Sequence, residues 1–100
     1  MKTTIEKNGE AVNISIQGRF STDEAAGFLK DLEPVMEERN KTVTMDLAEL
    51  DFISSAGIRC FVMLLKTCQA NNSTLWLKNL TPQLKDIFTL TALIDKFNIA

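Results

Sequence analysis

Histidine is absent from all 100 residues, which removes histidine-based triads, imidazole metal sites and histidine acid–base pairs from consideration. Cysteine is scarce: Cys60 and Cys68 are the only two. They stand eight apart in what reads as one helix, roughly 12 Å at 1.5 Å rise per residue, and cannot bridge within it. They are read as buried, reduced thiols of a cytosolic protein. No run approaches the ~20 apolar residues needed to cross a bilayer, and Met1–Lys7 has no apolar signal core. The expected location is the cytoplasm, with no membrane insertion. Neither sign of charge dominates: eleven basic against thirteen acidic side chains leave −2 and form no like-charged block. Nucleic acid and anionic lipid are therefore not expected as partners, and a protein is. No linker, repeat or low-complexity segment is present, and the Asn72-Ser73-Thr74 sequon reads as a polar turn.

What remains suffices for one domain over residues 1–100, because 45% hydrophobic residues can supply a core without staples. Val12, Ile14 and Ile16 alternate with Asn13, Ser15 and Gln17, the period of a strand with one wet face. Asn8-Gly9 can turn the chain back from an edge strand at Thr3–Lys7, giving an N-terminal hairpin. Ser21-Thr22-Asp23-Glu24 has capping-box spacing, and Phe28, Leu29, Leu32, Val35 and Met36 follow at helical intervals. The first helix is predicted to run to near Asn40, with a kink or break at Pro34. Thr42–Leu47 reads as a central strand, Ser55 to about Ala70 as a helix, and Ser73–Lys78 as a further strand. Thr81-Pro82 opens a third helix to about Leu90, before a helical turn and a last strand within Leu93–Ile99. Strands alternating with helices predict an α/β fold. Its sheet should be mixed and mostly parallel, of about four to five strands, with three to four helices mainly on one face.

The stretch "DLAELDFISSAGIRCFVMLL", Asp46 to Leu65, holds the functional signal. A strand-like run ends in Ser54 and Ser55 and turns at once into a helix, the kind of junction where α/β sheets present functional groups. One reading is an N-cap, since serine is among the best residues for it. A nucleophilic serine lacks a base, and Ile53-Ser54-Ser55-Ala56-Gly57 is not a Gly-x-Ser-x-Gly elbow. A phosphate-binding turn has one glycine and no Gly-Lys-Ser/Thr ending. Pattern alone stops at a capped helix.

Val43-Thr44-Met45-Asp46-Leu47, then Leu50, then Phe52-Ile53-Ser54-Ser55-Ala56-Gly57-Ile58, resembles the signature of STAS domains of the anti-sigma factor antagonist type. Its members commonly read as an apolar strand, Asp-Leu, a spacer and Phe-Ile/Met-Asp-Ser/Thr-Ser-Gly-Leu leading into a helix. The end, "LTPQLKDIFTLTALIDKF", is similar to the family's closing pattern, so the likeness spans nearly the whole chain. It implies a STAS fold and a phosphorylation site at Ser55, two residues before the motif glycine, with Ser54 the lesser candidate. The implied partner is an anti-sigma factor with GHKL-type serine kinase activity, and a PP2C-like phosphatase reverses the modification. The unphosphorylated form would bind the anti-sigma factor and free the sigma factor. No catalysis and no cofactor are implied.

This chain departs from the pattern at Ser54 and Ser21, where the family usually has aspartate, and at Ala56, where it has a second serine. Asp46 and Asp23 are then the carboxylates expected nearest the pocket. Ile58, Phe61, Val62, Leu65 and Cys68 form one stripe suited to the sheet, which leaves an apolar excess from Cys60 to Leu65. That excess is either covered by neighbouring elements or exposed. If it is exposed, Arg59, Met63 and Cys60 form a docking patch beside Ser55, with Gly57 at the helix start. The resemblance also admits a subunit of a lipid-transport ABC complex or a stress-signalling scaffold.

Overall fold

The alternation in the first twenty residues folds into the expected hairpin. In a computed structural model covering Met1–Ala100, β1 (Lys2–Asn8) runs antiparallel to β2 (Ala11–Phe20). The connecting residues are Gly9 and Glu10, and Gly9 has φ +63, the left-handed conformation that glycine adopts without a Cβ clash. Val12, Ile14 and Ile16 are buried while Asn13 and Gln17 are exposed. β2 then runs on to Phe20 through an irregularity at Gly18, whose φ is +95.

That extension shapes the topology. The remaining elements are α1 (Ala25–Met36), β3 (Thr42–Asp46), β4 (Leu50–Ile53), α2 (Ser55–Ala70), β5 (Thr74–Lys78), α3 (Pro82–Leu90) and β6 (Asn98–Ile99). The sheet order is β1-β2-β3-β5-β6, with β4 pairing β2, and every pairing beyond the hairpin is parallel. Besides β1, β2 serves two parallel partners along its length: Ala11–Ser15 lie against β3, and Gly18–Phe20 lie against β4. Leu50–Ile53 thereby becomes a strand of its own, giving six strands where the sequence suggested four to five.

Two details of α1 differ from expectation. No side-chain capping box forms; Ser21 Oγ donates to Asp23 Oδ1 at 2.8 Å, and a one-turn 3-10 segment, Thr22–Glu24, leads into the helix. The Glu24 carboxylate instead takes the Met1 ammonium at 3.4 Å. Pro34 does not break the helix midway, because it lies in the last turn and α1 ends at Met36, short of Asn40. The ring removes the donor that would serve the Lys30 carbonyl, and the helix closes two residues later.

The helices bury Phe28 and Leu32 (α1), Phe61 and Leu64 (α2), and Leu84 and Phe88 (α3) in one core with the sheet. Phe20, Phe28, Phe61, Phe88 and Phe97 form a chain of rings with centroids 4.9–6.2 Å apart. Such pairs contribute roughly 0.5–1.5 kcal/mol beyond their burial. Alternate residues point the other way, and that face carries Asn13, Gln17, Thr44 and Trp76. No helix is long and apolar enough to cross a membrane.

Candidate functional site

The parallel pairing of β2 with β4 brings two strand ends together. Phe20 lies opposite Ile53, and the Ser54 N–H donates to the Phe20 carbonyl at 2.8 Å. Ser54 therefore begins α2 beside Ser21, and the 3-10 turn carrying Asp23 packs against α2. Ser54 is the N-cap: its backbone is extended (φ −82, ψ 168), and its Oγ accepts from the Gly57 N–H at 3.1 Å. Its carbonyl accepts from the Ile58 N–H at 2.9 Å. Its side-chain oxygen is thus engaged in holding the helix start.

Ser55, the first residue of the helix, is exposed and its hydroxyl has no hydrogen-bond partner in the chain. Its own N–H and that of Ala56 are among the orphan donors of a helix N-terminus, where the macrodipole favours negative charge. The two adjacent serines divide the work: one oxygen fixes the turn, and the other faces solvent.

Gly57 is buried, and the reason is proximity. A Cβ there would stand 2.8 Å from Ile53 Cγ1 and 2.8 Å from Phe20 Cδ1, closer than carbon atoms pack. This position is a packing requirement, so Gly57 positions the site without contributing to a contact surface. Beyond it, Arg59 is exposed, and Met63 is 44% exposed one helical turn further on. Spacings of four residues align Ser55, Arg59 and Met63 along one ridge.

Two expected members of the site lie elsewhere. Cys60 is 2% exposed, and its thiol sits 3.8 Å from the Ala25 carbonyl, in the seam with α1. The buried stripe of α2 is Gly57, Cys60, Phe61, Leu64 and Cys68, rotated from the predicted one, so Cys60 forms no part of a surface patch. The rotation arises because α1 covers the Cys60 side, leaving Ile58, Val62 and Leu65 half-buried. Burial pushes the Cys60 thiol above its ordinary pKa, with Arg59 pulling the other way, and raises Cys68 to about 11.

Asp46 is likewise displaced. It pairs with Ser15, whereas Ser54 reaches Phe20, five residues further along β2, roughly 16 Å at 3.3 Å per residue. Asp46 Oδ1 accepts from Asn79 Nδ2 at 3.0 Å and from the Ala48 N–H at 3.1 Å. The Asn79 bond first, and the Ala48 bond second, hold its carboxyl below the ordinary range. Its work is to fix the turn after β3. Of the two expected carboxylates, Asp23 alone belongs to the strand-end cluster.

The sequence reading also missed Phe20 as the surface against which Gly57 rests, and Arg19, whose guanidinium lies 4.4 Å from the Phe52 ring centroid. Both depend on β4 pairing with β2, which no local pattern signals.

With this geometry in view, the comparisons are consistent. Residues 3–97 match the family model described as "Mlab, STAS domain". The chain is similar to "Putative anti-sigma factor antagonist BtrV" of Bordetella bronchiseptica, 27% identical over 100 residues, covering 100% of this chain and 86% of that one. The fold resembles unphosphorylated SpoIIAA, an anti-sigma factor antagonist, with a TM-score of 0.83, 17% identity, and 99% and 88% of the two chains covered. It also resembles the phosphorylated form of SpoIIAA from Bacillus, with a TM-score of 0.77, 17% identity, and 99% and 91% covered. A sulfate transporter family protein from Wolinella succinogenes shares the fold as well, with a TM-score of 0.77, 19% identity, and 91% and 74% covered. A match spanning nearly the whole chain, over the strands and the Ser54–Gly57 junction described above, makes this protein a member of the STAS domain family.

Proposed function

We propose that this chain is an anti-sigma factor antagonist whose unphosphorylated form binds an anti-sigma factor with GHKL-type serine kinase activity. Binding frees the sigma factor, and phosphorylation of Ser55 ends it. A PP2C-like phosphatase resets the cycle. The observation that carries this reading is the division between the serines: Ser54 Oγ is engaged by the Gly57 N–H, whereas Ser55 is exposed and unpartnered. The resemblance to BtrV and to SpoIIAA, a protein with a phosphorylated form, supports it.

The chain acts here as substrate and switch, with no catalysis of its own. A phosphate of about −1.5 to −2 charges at this helix start meets the dipole and the free Ser55 and Ala56 N–H groups, so it stabilises α2 locally. Unfolding is therefore not the switch. Binding is lost because the dianion must be desolvated against the partner. Moving a population from 99:1 to 1:99 takes about 5.5 kcal/mol, within reach of a buried dianion.

The test is to mix the protein with candidate kinase and ATP and locate the added phosphate by mass spectrometry. Gain of one phosphate on the Ser55 peptide, lost in Ser55→Ala, is the expected result. Transfer that persists in Ser55→Ala rejects the assignment. Stable binding to a transporter ATPase, with no transfer from any GHKL-type kinase, would favour the ABC-subunit role.

A further inference from the structure

α2 is the one helix without a carboxylate: between Ser55 and Ala70 its only charged residues are Arg59 and Lys66, in a chain of net charge −2. Neither of these cations is ion-paired, and neither is Lys96 on the segment after α3. Val62, Leu65, Lys66 and Gln69 fall on one face of α2. Across from them lie Leu93, Lys96 and Phe97, enclosing a groove of about 350 Å³. Its floor is apolar, its rim carries two lysines, and its volume lies in the range of ligand-binding clefts. Asp95, next to Lys96 in sequence, pairs with neither lysine. Lys66 also continues the ridge of Ser55, Arg59 and Met63, so groove and ridge are neighbouring faces of one helix.

We propose that this groove seats an acidic amphipathic segment of the protein that docks on α2. An apolar side chain of that segment enters between Val62, Leu65, Leu93 and Phe97, and its carboxylates lie on Lys66 and Lys96. A cationic segment would be repelled by both lysines, and a purely apolar one would leave them unpaired. The partner's identity rests on the Ser55 reading above, while the groove's preference rests on its own charge and shape. Docking is then bipartite: phosphate at Ser55 acts on one end of α2, and the groove anchors the other.

The probe is a fluorescent helical peptide with one leucine face and one glutamate face, with a lysine-faced version as control. The glutamate peptide should bind, weaken as salt rises, and shift the methyl resonances of Val62, Leu65 and Leu93. Affinity should fall about tenfold in the Lys66→Glu/Lys96→Glu double variant, whose circular dichroism should match the wild type. Equal binding of both peptides, or undiminished binding to the double variant, overturns the proposal. With a kinase that modifies Ser55, the same variant should raise KM about tenfold and leave kcat unchanged. An unchanged KM rejects the groove while leaving the Ser55 reading intact. Failure of every candidate kinase removes the Ser55 reading, and the peptide measurement still decides the groove.

Discussion

Gly57 rests on Phe20 so closely that a single added methyl group would come within 2.8 Å of the ring. The contact joins the start of α2 to the end of β2 and so holds Ser55 at its fixed height above the sheet. Alanine is the better helix former by about 1 kcal/mol, but forcing a methyl into packed ring and Ile53 atoms costs roughly 1–3 kcal/mol. Gly57→Ala should therefore be destabilising by up to about 2 kcal/mol in urea unfolding with an unchanged m-value. A stabilised variant would show that Phe20 moves aside freely.

The two serines should separate cleanly by stability. Ser54→Ala removes the cap acceptor for the Gly57 N–H and should cost about 1 kcal/mol. Ser55→Ala removes an exposed, unpartnered hydroxyl and should stay within about 0.5 kcal/mol of wild type. Thermal unfolding of the pair reads this directly, and equal losses would contradict the assigned roles.

Met63→Glu tests the ridge. Met63 is 44% exposed, so the substitution should shift the melting temperature by no more than about 4 °C. Binding to the anti-sigma factor proposed above as the partner should weaken at least about tenfold, measured by calorimetry. Retained binding would place the interface elsewhere.

Ala92 is the only non-glycine, non-asparagine residue with positive φ, at +59, just beyond the end of α3. An alanine there carries a steric penalty that glycine lacks. Ala92→Gly should stabilise the fold by about 0.5–1 kcal/mol, seen as a higher urea midpoint. A loss of stability would mean that the flexibility gained by the unfolded chain outweighs the relieved strain.

Asp46 sets an acid-side dependence. Its folded pKa is depressed by the Asn79 and Ala48 hydrogen bonds, so its contribution is present above the ordinary value of 3.8 and is lost as pH falls through the folded value. Asp46→Asn keeps an amide oxygen but no charge. The stability gap between wild type and this variant, of order 1 kcal/mol or less at a half-exposed site, should be constant above about pH 5. Below about pH 4 it should close, as followed by urea unfolding across pH.

Much of this protein is legible in its sequence. Alternation at Val12–Gln17, the helical spacing of Phe28 to Met36, Thr81-Pro82 and the Ser54-Ser55-Ala56-Gly57 junction each landed in the element expected of them. These are local signals, set by side-chain period and backbone preference over one or two turns. The two misplaced site residues have a common cause. Assigning Cys60 to the surface and Asp46 to the pocket required knowing which neighbour covers a given side of a helix or strand.

By itself, then, the order of residues determined the succession of strands and helices, the capped turn at the paired serines and the family to which the chain belongs. Folding alone decided which hydroxyl is free, because that depends on Ser54 being drawn to Phe20 and spending its oxygen on the Gly57 amide. It also decided which side of α2 faces solvent. Burial is a property of contacts between segments distant in sequence, and a helix with apolar residues on more than one side leaves that choice to whatever packs against it.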